Sequence, residues 1–232
     1  MMLAVVSCTF TACGDDSDDT KAAKPSQESH EIAGDMPKVA PDKAIEDFAM
    51  IQYYGTTGDD KEASESTGIK PDEIDKFFKQ RVETYAKDFE DEYLLNKESA
   101  TELAIHYLAK CAEYSNLTVK IKDNDTTNPV VTVTLSPVDN DAISQKMRDN
   151  VDFVDFMQTI YESKNDPKLA AEMKNNPEFQ SIILQGLEEE IFDVIPVKAP
   201  KSVDIECEIS QGYDGKNYWM PIDPEKLGEV VQ

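Results

Sequence analysis

The chain has 232 residues with 23 basic and 47 acidic side chains, which gives a formal charge of −24 at pH 7. Phosphate binding requires clustered Lys and Arg, so this charge argues against a nucleic-acid-binding protein and against a basic surface held on anionic lipid. Nine Gly and twelve Pro argue against a fibrous or low-complexity chain. Length and composition favour one globular domain with a tail.

The first thirteen residues, MMLAVVSCTFTAC, carry no charged side chain and end in a cysteine. This segment is too short to span a bilayer, which needs about 20 apolar residues, but it matches the apolar core of a secretory signal. The small residues before Cys13 resemble the lipobox of bacterial lipoproteins, although Phe10 stands where Leu is usual. Cys8 also follows small residues, but only Cys13 precedes a polar segment. We therefore predict a signal peptide over residues 1–12 and acylation of Cys13.

The composition changes abruptly after Cys13. Residues 14–40 contain seven acids, three lysines and no aromatic side chain. Such a segment cannot bury enough apolar area to offset the entropy lost on ordering. We predict that residues 13–40 form a solvated tether that holds a single domain, residues 41–232, away from the membrane. The acidic run 15–19 is interpreted as part of this tether and not as a metal site.

Three helices are predicted at the start of the globular part. The first begins at Pro41, and the stretch 55–68, with its three glycines and few apolar residues, ends it. Pro71 fits the first turn of a second helix, where its missing N–H has no cost. Ser99 and Glu102 form a predicted capping box for a third helix. The apolar residues of the second and third helices recur at helical spacing.

Two predicted β-hairpins follow, with helices between them. The first comprises strands near residues 117–121 and 130–135, and the second has its strands near 203–210 and 218–222. Strict alternation in the third strand predicts that four residues face the helices, namely Val203, Ile205, Cys207 and Ile209. Between the hairpins one helical face carries Ile143, Met147, Val151, Val154, Met157 and Tyr161. Asp166-Pro167 and Asn176-Pro177 predict two further helix starts.

Hairpins without strand–helix alternation predict an α+β domain, in which helices pack on one face of an antiparallel sheet. The stretches PDKAIEDFAMIQYYGTTGDDKE, NLTVKIKDNDTTNPVVTVTL and GYDGKNYWMPID resemble an uncharacterised class of bacterial lipoproteins, for which we expect a Gram-positive envelope. The resemblance implies a cystatin-like fold, with a helix wrapped by a curved antiparallel sheet. It carries no catalytic residue over to this chain.

Motifs for chemistry are scarce. The two histidines are His30, in the tether, and His106, which the helical pattern places on a solvated face. The segment 123–128 resembles the start of a calcium loop, but Asn128 and Thr134 stand where an EF-hand needs Gly and Glu. The acidic runs include Glu188-Glu189-Glu190, and a carboxylate pair could hydrolyse a glycoside only if burial raised one pKa. We predict no metal and no cofactor.

Cys111 and Cys207 remain after removal of the signal peptide. One lies on the apolar face of a predicted helix and the other on the apolar face of a predicted strand. Outside the cytoplasm such a pair can form a disulfide. Both positions also suit buried free thiols, because cysteine packs as a small core residue. The sequence leaves both alternatives open.

These features favour a non-enzymatic binding module on the extracytoplasmic face of a bacterial membrane. The expected protein is a monomer that contacts the membrane only through the lipid on Cys13 and binds an envelope protein or a small ligand, but no nucleic acid. The predicted ligand-binding residues are aromatic, namely Tyr54, Tyr213, Tyr218 and Trp219. Trp219 has a second interpretation as a core residue. The alternative function is a carboxylate-dependent hydrolase that acts on envelope glycan or peptide.

Overall fold

The computed structural model describes residues 35–56 and 58–231, and this part of the chain has the predicted α+β architecture. Its elements follow the predicted order of helices, hairpin, helices, hairpin and a short last helix. The signal peptide, Cys13, His30 and nearly all of the tether lie outside the described residues. None of the described helices combines the length and the apolar character needed to cross a membrane.

The first four helices are α1 (Pro41–Tyr54), α2 (Asp60–Thr67), α3 (Pro71–Tyr93) and α4 (Lys97–Tyr114). The first hairpin consists of β1 (Thr118–Asp123) and β2 (Val130–Leu135). The helical segment that follows contains α5 (Asn140–Asp149), α6 (Val151–Lys164), α7 (Pro167–Lys174), α8 (Pro177–Gln185) and a π-helical turn (Gly186–Ile191). The second hairpin and the last helix are β3 (Lys201–Gln211), β4 (Asn217–Pro221) and a 3-10 helix (Pro224–Val230).

The stretch after α1 holds a helix that the sequence pattern does not predict. Asp59 caps α2 by accepting hydrogen bonds from two backbone N–H groups of its first turn. Gly55 and Gly68 end α1 and α2 in the left-handed conformation, which glycine adopts without strain. A Cβ atom on Gly55 would lie 2.6 Å from the Cα atom of Phe78, so this glycine also allows α1 to approach α3 closely. The expectation that the whole stretch 55–68 is non-helical is therefore wrong.

Helix α4 begins earlier than its predicted capping box. The side chain of Asn96 accepts a hydrogen bond of 2.9 Å from the backbone N–H of Ser99, and the helix starts at Lys97. Because Ser99 lies inside the first turn and its N–H is the capped group, it cannot act as the cap itself. The predicted box of Ser99 and Glu102 is wrong for this reason.

A second asparagine cap decides which face of α6 is buried. Asn150 accepts a hydrogen bond of 3.0 Å from the backbone N–H of Phe153 and separates α6 from α5. The apolar face that carries Ile143 and Met147 on α5 therefore does not continue along α6. Helix α6 buries Phe153 and Ile160 instead of the predicted residues. Three side chains of that predicted face are exposed, namely Val151 (70%), Val154 (42%) and Tyr161 (70%).

One antiparallel sheet in the order β1-β2-β3-β4 combines the two predicted hairpins. Strands β2 and β3 pair with Val131 opposite Ile205, although α5–α8 separate them along the chain. The buried face of the sheet packs against α1 and the 3-10 helix. We call this the sheet cluster, and its members include Ala44, Ile45, Ala49, Val131, Val133, Ile205, Cys207, Trp219 and Leu227. The prediction that Ile205 and Cys207 face inward is confirmed, while Val203 and Ile209 are half-buried.

A helical cluster forms a second core among α3, α4, α8 and the π-helical turn. Its centre is aromatic, since the ring of Tyr107 lies 5.8 Å from that of Phe89 and 5.0 Å from that of Phe192. Helix α1 adds Tyr54 to this cluster. A small third cluster consists of Ile51, Ala63 and Ile74.

A buried glutamine joins α8 to the turn between α3 and α4. The Gln180 side-chain oxygen accepts a hydrogen bond of 2.7 Å from the backbone N–H of Asn96. Its amide nitrogen donates to the carbonyl oxygens of Leu94, at 3.1 Å, and Met173, at 3.2 Å. Leu94 has a φ of 53°, a conformation that is unfavourable for leucine. The Gln180 amide therefore fixes a strained turn whose polar backbone groups have little access to water.

We expect the substitution Gln180→Met to lower the free energy of unfolding by about 2–4 kcal/mol, because it leaves buried backbone groups without partners. Urea titration measures this loss. The matched control is Gln158→Met on the exposed side of α6, which should change stability by less than about 0.5 kcal/mol. Similar small losses in both variants would contradict the assigned role of Gln180.

Candidate functional site

A cleft of about 370 Å³ lies between α1, the start of α2 and the turn that joins α4 to β1. Its size is within the range of small-molecule sites. The lining residues are Lys43, Glu46, Asp47, Met50, Asp59, Glu62, Ala112, Glu113, Asn116 and Leu117. The lining thus joins an apolar wall to five carboxylates and a single lysine.

Asp47 is the buried charged group of this cleft, with 3% of its surface exposed. The Ser66 hydroxyl, on α2, donates a hydrogen bond of 2.6 Å to one carboxylate oxygen of Asp47. The Lys43 ammonium, one turn earlier on α1, donates a hydrogen bond of 2.9 Å to the other. Both oxygens are therefore satisfied, as a buried carboxylate requires.

Lys43 places a cation among several of these carboxylates. Its Nζ atom lies 3.8 Å from Glu46 and 3.7 Å from Glu62, in addition to its bond with Asp47. The hydrogen bond to Asp47 raises the pKa of Lys43, so this lysine stays charged at neutral pH. One lysine cannot neutralise five acids, so the cleft retains a negative field that favours cations.

The apolar wall of the cleft comes from Met50, Ala112 and Leu117. Next to Leu117, Asn116 turns the chain from α4 into β1 with a φ of 49°, in the left-handed region that asparagine tolerates. Its side-chain amide donates a hydrogen bond of 3.0 Å to the carbonyl oxygen of Tyr114. This tight turn brings the wall close to the carboxylates on α1 and α2.

A second depression, of about 580 Å³, lies along α5 and the π-helical turn and is open to solvent. Its polar side chains hold the fold together. Asn150 donates a hydrogen bond to Glu190, and Lys146 donates one of 2.9 Å to the carbonyl oxygen of Ile191. These contacts join α5 and α6 to the π-helical turn, so the polar groups of this depression already stabilise the fold. We therefore take the cleft around Asp47 as the candidate site.

The four predicted aromatic residues do not line either concavity. Trp219 is buried in the sheet cluster and Tyr54 in the helical cluster, and this burial agrees with the core interpretation of Trp219. The Tyr218 ring is buried where two glycines approach it, and its hydroxyl donates a hydrogen bond of 3.1 Å to Asp214. Only Tyr213 is exposed among the four, at 53%. The structure therefore does not bring them together as one site.

The two described cysteines are separate free thiols. Cys111 belongs to the helical cluster and Cys207 to the sheet cluster. The candidate disulfide is therefore replaced by its alternative of buried thiols. Burial raises the pKa of each thiol to about 12, so neither is a reactive thiolate near neutral pH.

His106 is half-buried, and the prediction of a solvated histidine is wrong. Its Nδ1 atom lies 4.0 Å from a carboxylate oxygen of Glu188 on the π-helical turn. Burial raises the pKa of Glu188, His106 opposes this shift, and Glu102 and Glu189 add to it. In the described part of the chain, no three or more His, Cys, Asp or Glu side chains are grouped so that they could hold a metal ion.

Asp47 is not among the predicted site residues, although the sequence around it carries a signal for its role. Asp47 lies between apolar residues of α1 and is spaced four residues from Lys43. A carboxylate on the apolar face of a helix needs a partner, and a lysine one turn away can supply it. The contribution of Ser66 has no such signal, because it depends on how α2 packs against α1.

We expect Glu188→Gln to increase stability at pH 7, and this gain should shrink as the pH falls. The folded state holds the Glu188 proton more tightly than the unfolded state, so the ionised side chain opposes folding above its raised pKa. That penalty disappears below the ordinary value of 4.5. The measurement is the difference in free energy of unfolding between variant and parent at several pH values. Glu83→Gln on an exposed face of α3 is the control, and a pH profile equal to that of the control would contradict the assignment.

The chain was compared with known proteins. No protein-family model and no curated protein matches it. A similar solved structure is the crystal structure of a candidate lipoprotein, ycdA, from Bacillus subtilis, with a TM-score of 0.48 and 16% sequence identity. The match covers 82% of this chain and 54% of that protein, so this chain spans about half the length of ycdA.

Proposed function

We propose that this chain is a lipid-anchored protein of the extracytoplasmic face of a bacterial membrane, of Gram-positive type, and that its domain binds a ligand without catalysing a reaction. The lipobox-like residues before Cys13 and the acidic segment after it support the anchor. The packing of α1 against a four-stranded antiparallel sheet is compatible with the cystatin-like arrangement that the resemblance implies.

The observation that carries the binding function is the cleft around Asp47. The Lys43 ammonium shows how the cleft accommodates a cation, since its Nζ atom lies within 4 Å of three carboxylates. We propose that the carboxylates of this cleft hold a small ligand with a primary amine in the same way. Its hydrocarbon part would lie against the apolar wall.

The second candidate function is a carboxylate-dependent hydrolase of envelope glycan or peptide. The observation that favours it is Glu188, a carboxylate with a raised pKa next to His106. Neither residue lines either of the two concavities described above. The binding function is therefore the better supported proposal.

The anchor is tested by Cys13→Ala in the full chain, expressed in a Gram-positive bacterium. We expect the parent protein to incorporate an alkyne fatty acid and to sediment with membranes. The variant should lose both properties, because acylation requires the thiol. Cys8→Ala is the matched control and should behave as the parent does. Unchanged fatty-acid labelling of Cys13→Ala would refute this proposal.

The cleft is tested by calorimetric titration with cadaverine, a diamine, and with 1,5-pentanediol as its uncharged analogue. The protein is the full chain carrying Cys13→Ala. We expect cadaverine alone to bind, and Asp47→Asn to weaken binding at least about tenfold, because the variant removes one negative charge from the cleft. Asp75→Asn is a matched control, since Asp75 forms a similarly spaced ion pair with Lys79 on the surface of α3.

A further variant keeps this test decisive if Asp47→Asn does not fold. Glu62→Gln alters an exposed carboxylate of the same cleft and should weaken cadaverine binding without changing the thermal melting curve. No binding of cadaverine, or equal binding by parent and both cleft variants, would refute the proposal. Hydrolysis of cell-wall material that is lost in Glu188→Gln would favour the hydrolase instead.

A further inference from the structure

Exposed apolar side chains are concentrated in the helices between the two hairpins. Of the twelve large apolar residues that are exposed in the described part of the chain, five lie between residues 151 and 182. Three of these are on α6, namely Val151, Val154 and Tyr161. At 100° per residue they fall within about 80° of arc and form one stripe along the helix, with the exposed polar side chain of Gln158 among them. We call this stripe the outer face of α6.

Helix α6 is apolar on its opposite side as well. Phe153 and Ile160 are buried in the helical cluster, and the Phe156 ring lies 5.7 Å from that of Phe179 on α8. A helix with two apolar sides is usually buried all round. Within the described chain, no element covers the outer face of α6, so its apolar surface exceeds what the fold itself needs.

The charges beside the outer face are negative. Asp155 and Glu162 lie at adjoining positions on the exposed side of α6, two helical turns apart. The single lysine of this helix, Lys164, points away from the outer face and donates a hydrogen bond of 2.8 Å to the carbonyl oxygen of Glu92 on α3. The outer face is therefore an apolar stripe with an acidic border.

We propose that the outer face of α6 binds an amphipathic helix of a partner protein, with apolar side chains on its contacting face and basic residues beside them. Apolar residues of such a helix would cover Val151, Val154 and Tyr161, and its basic residues would lie near Asp155 and Glu162. This surface is separate from the cleft around Asp47 and does not depend on the function proposed for that cleft.

Charge also argues against two other occupants. A second copy of the chain, packed antiparallel through the same face, would bring the two acidic borders together, and like charges at an interface are unfavourable. A membrane surface carries anionic headgroups, which an acidic border repels. A basic helix is the occupant whose charge complements this face.

The experiment uses the full chain carrying Cys13→Ala and three labelled peptides of about four helical turns. The first is a Leu/Lys peptide with its leucines on one helical face, the second has the same composition in scrambled order, and the third is a Leu/Glu peptide with the same pattern. Fluorescence anisotropy at physiological salt measures binding. We expect the patterned Leu/Lys peptide to bind at least about tenfold more tightly than the scrambled one, and the Leu/Glu peptide not to bind.

Two surface variants locate the binding. Val151→Ser combined with Val154→Ser should weaken binding of the patterned Leu/Lys peptide at least about tenfold. The matched control is Ile222→Ser, which alters an exposed isoleucine beyond β4 and should leave binding unchanged. Asp155→Asn combined with Glu162→Gln should reduce the salt dependence of binding. Thermal melting curves equal to that of the parent show that each variant is folded.

Equal binding of the patterned and scrambled Leu/Lys peptides, or binding that is unaffected by the double serine variant, would overturn the proposal. Two other results would also overturn the proposal, because each would identify a different occupant of the outer face of α6. One is a dimer in sedimentation that the double serine variant abolishes, and the other is binding to phosphatidylglycerol vesicles that the same variant abolishes. Cadaverine binding should not change in either double variant, so failure here and failure of the cleft proposal are distinguishable.

Discussion

Helix α1 contacts all three hydrophobic clusters, and this constraint shapes the domain. Ala44, Ile45 and Ala49 pack in the sheet cluster, Ile51 in the small cluster and Tyr54 in the helical cluster. A helix buried around so much of its circumference tolerates a charged group on its buried side only where that group has partners. Asp47 is tolerated on α1 because Ser66 and Lys43 satisfy both of its oxygens, and the cleft is formed where that pairing reaches the surface.

Three basic side chains of this acidic chain bind the carbonyl groups at helix ends that have no basic residue in their own last turn. Arg81 donates a hydrogen bond of 2.7 Å to the carbonyl oxygen of Gln52 near the end of α1. Lys164 and Lys146 do the same for α3 and the π-helical turn. None of these three elements has a basic residue in its last turn. Because carbonyl groups at a helix end favour positive charge, these contacts stabilise the fold and leave a more acidic surface.

The sequence was sufficient where one local signal dominates. The alternation in β3 predicts its inward face correctly, because side chains of a strand point to opposite sides with a fixed period. Proline after Asp166 and Asn176 predicts the starts of α7 and α8 in the same way. The sequence was insufficient to predict α2, because this helix has few apolar residues and depends on the Asp59 cap and on packing against α1.

By itself, therefore, the sequence determined the α+β class, the two hairpins and most helices, since these follow from periodicity and caps that act over a few residues. Only the tertiary structure decided that Asn150 shifts the phase of α6 and leaves Val151 and Tyr161 exposed. It likewise decided that Trp219 is buried and that Asp47 lies at a cleft. The physical reason is that burial depends on which distant segment packs against a residue, and residues as far apart as Asn96 and Gln180 meet only in the folded chain.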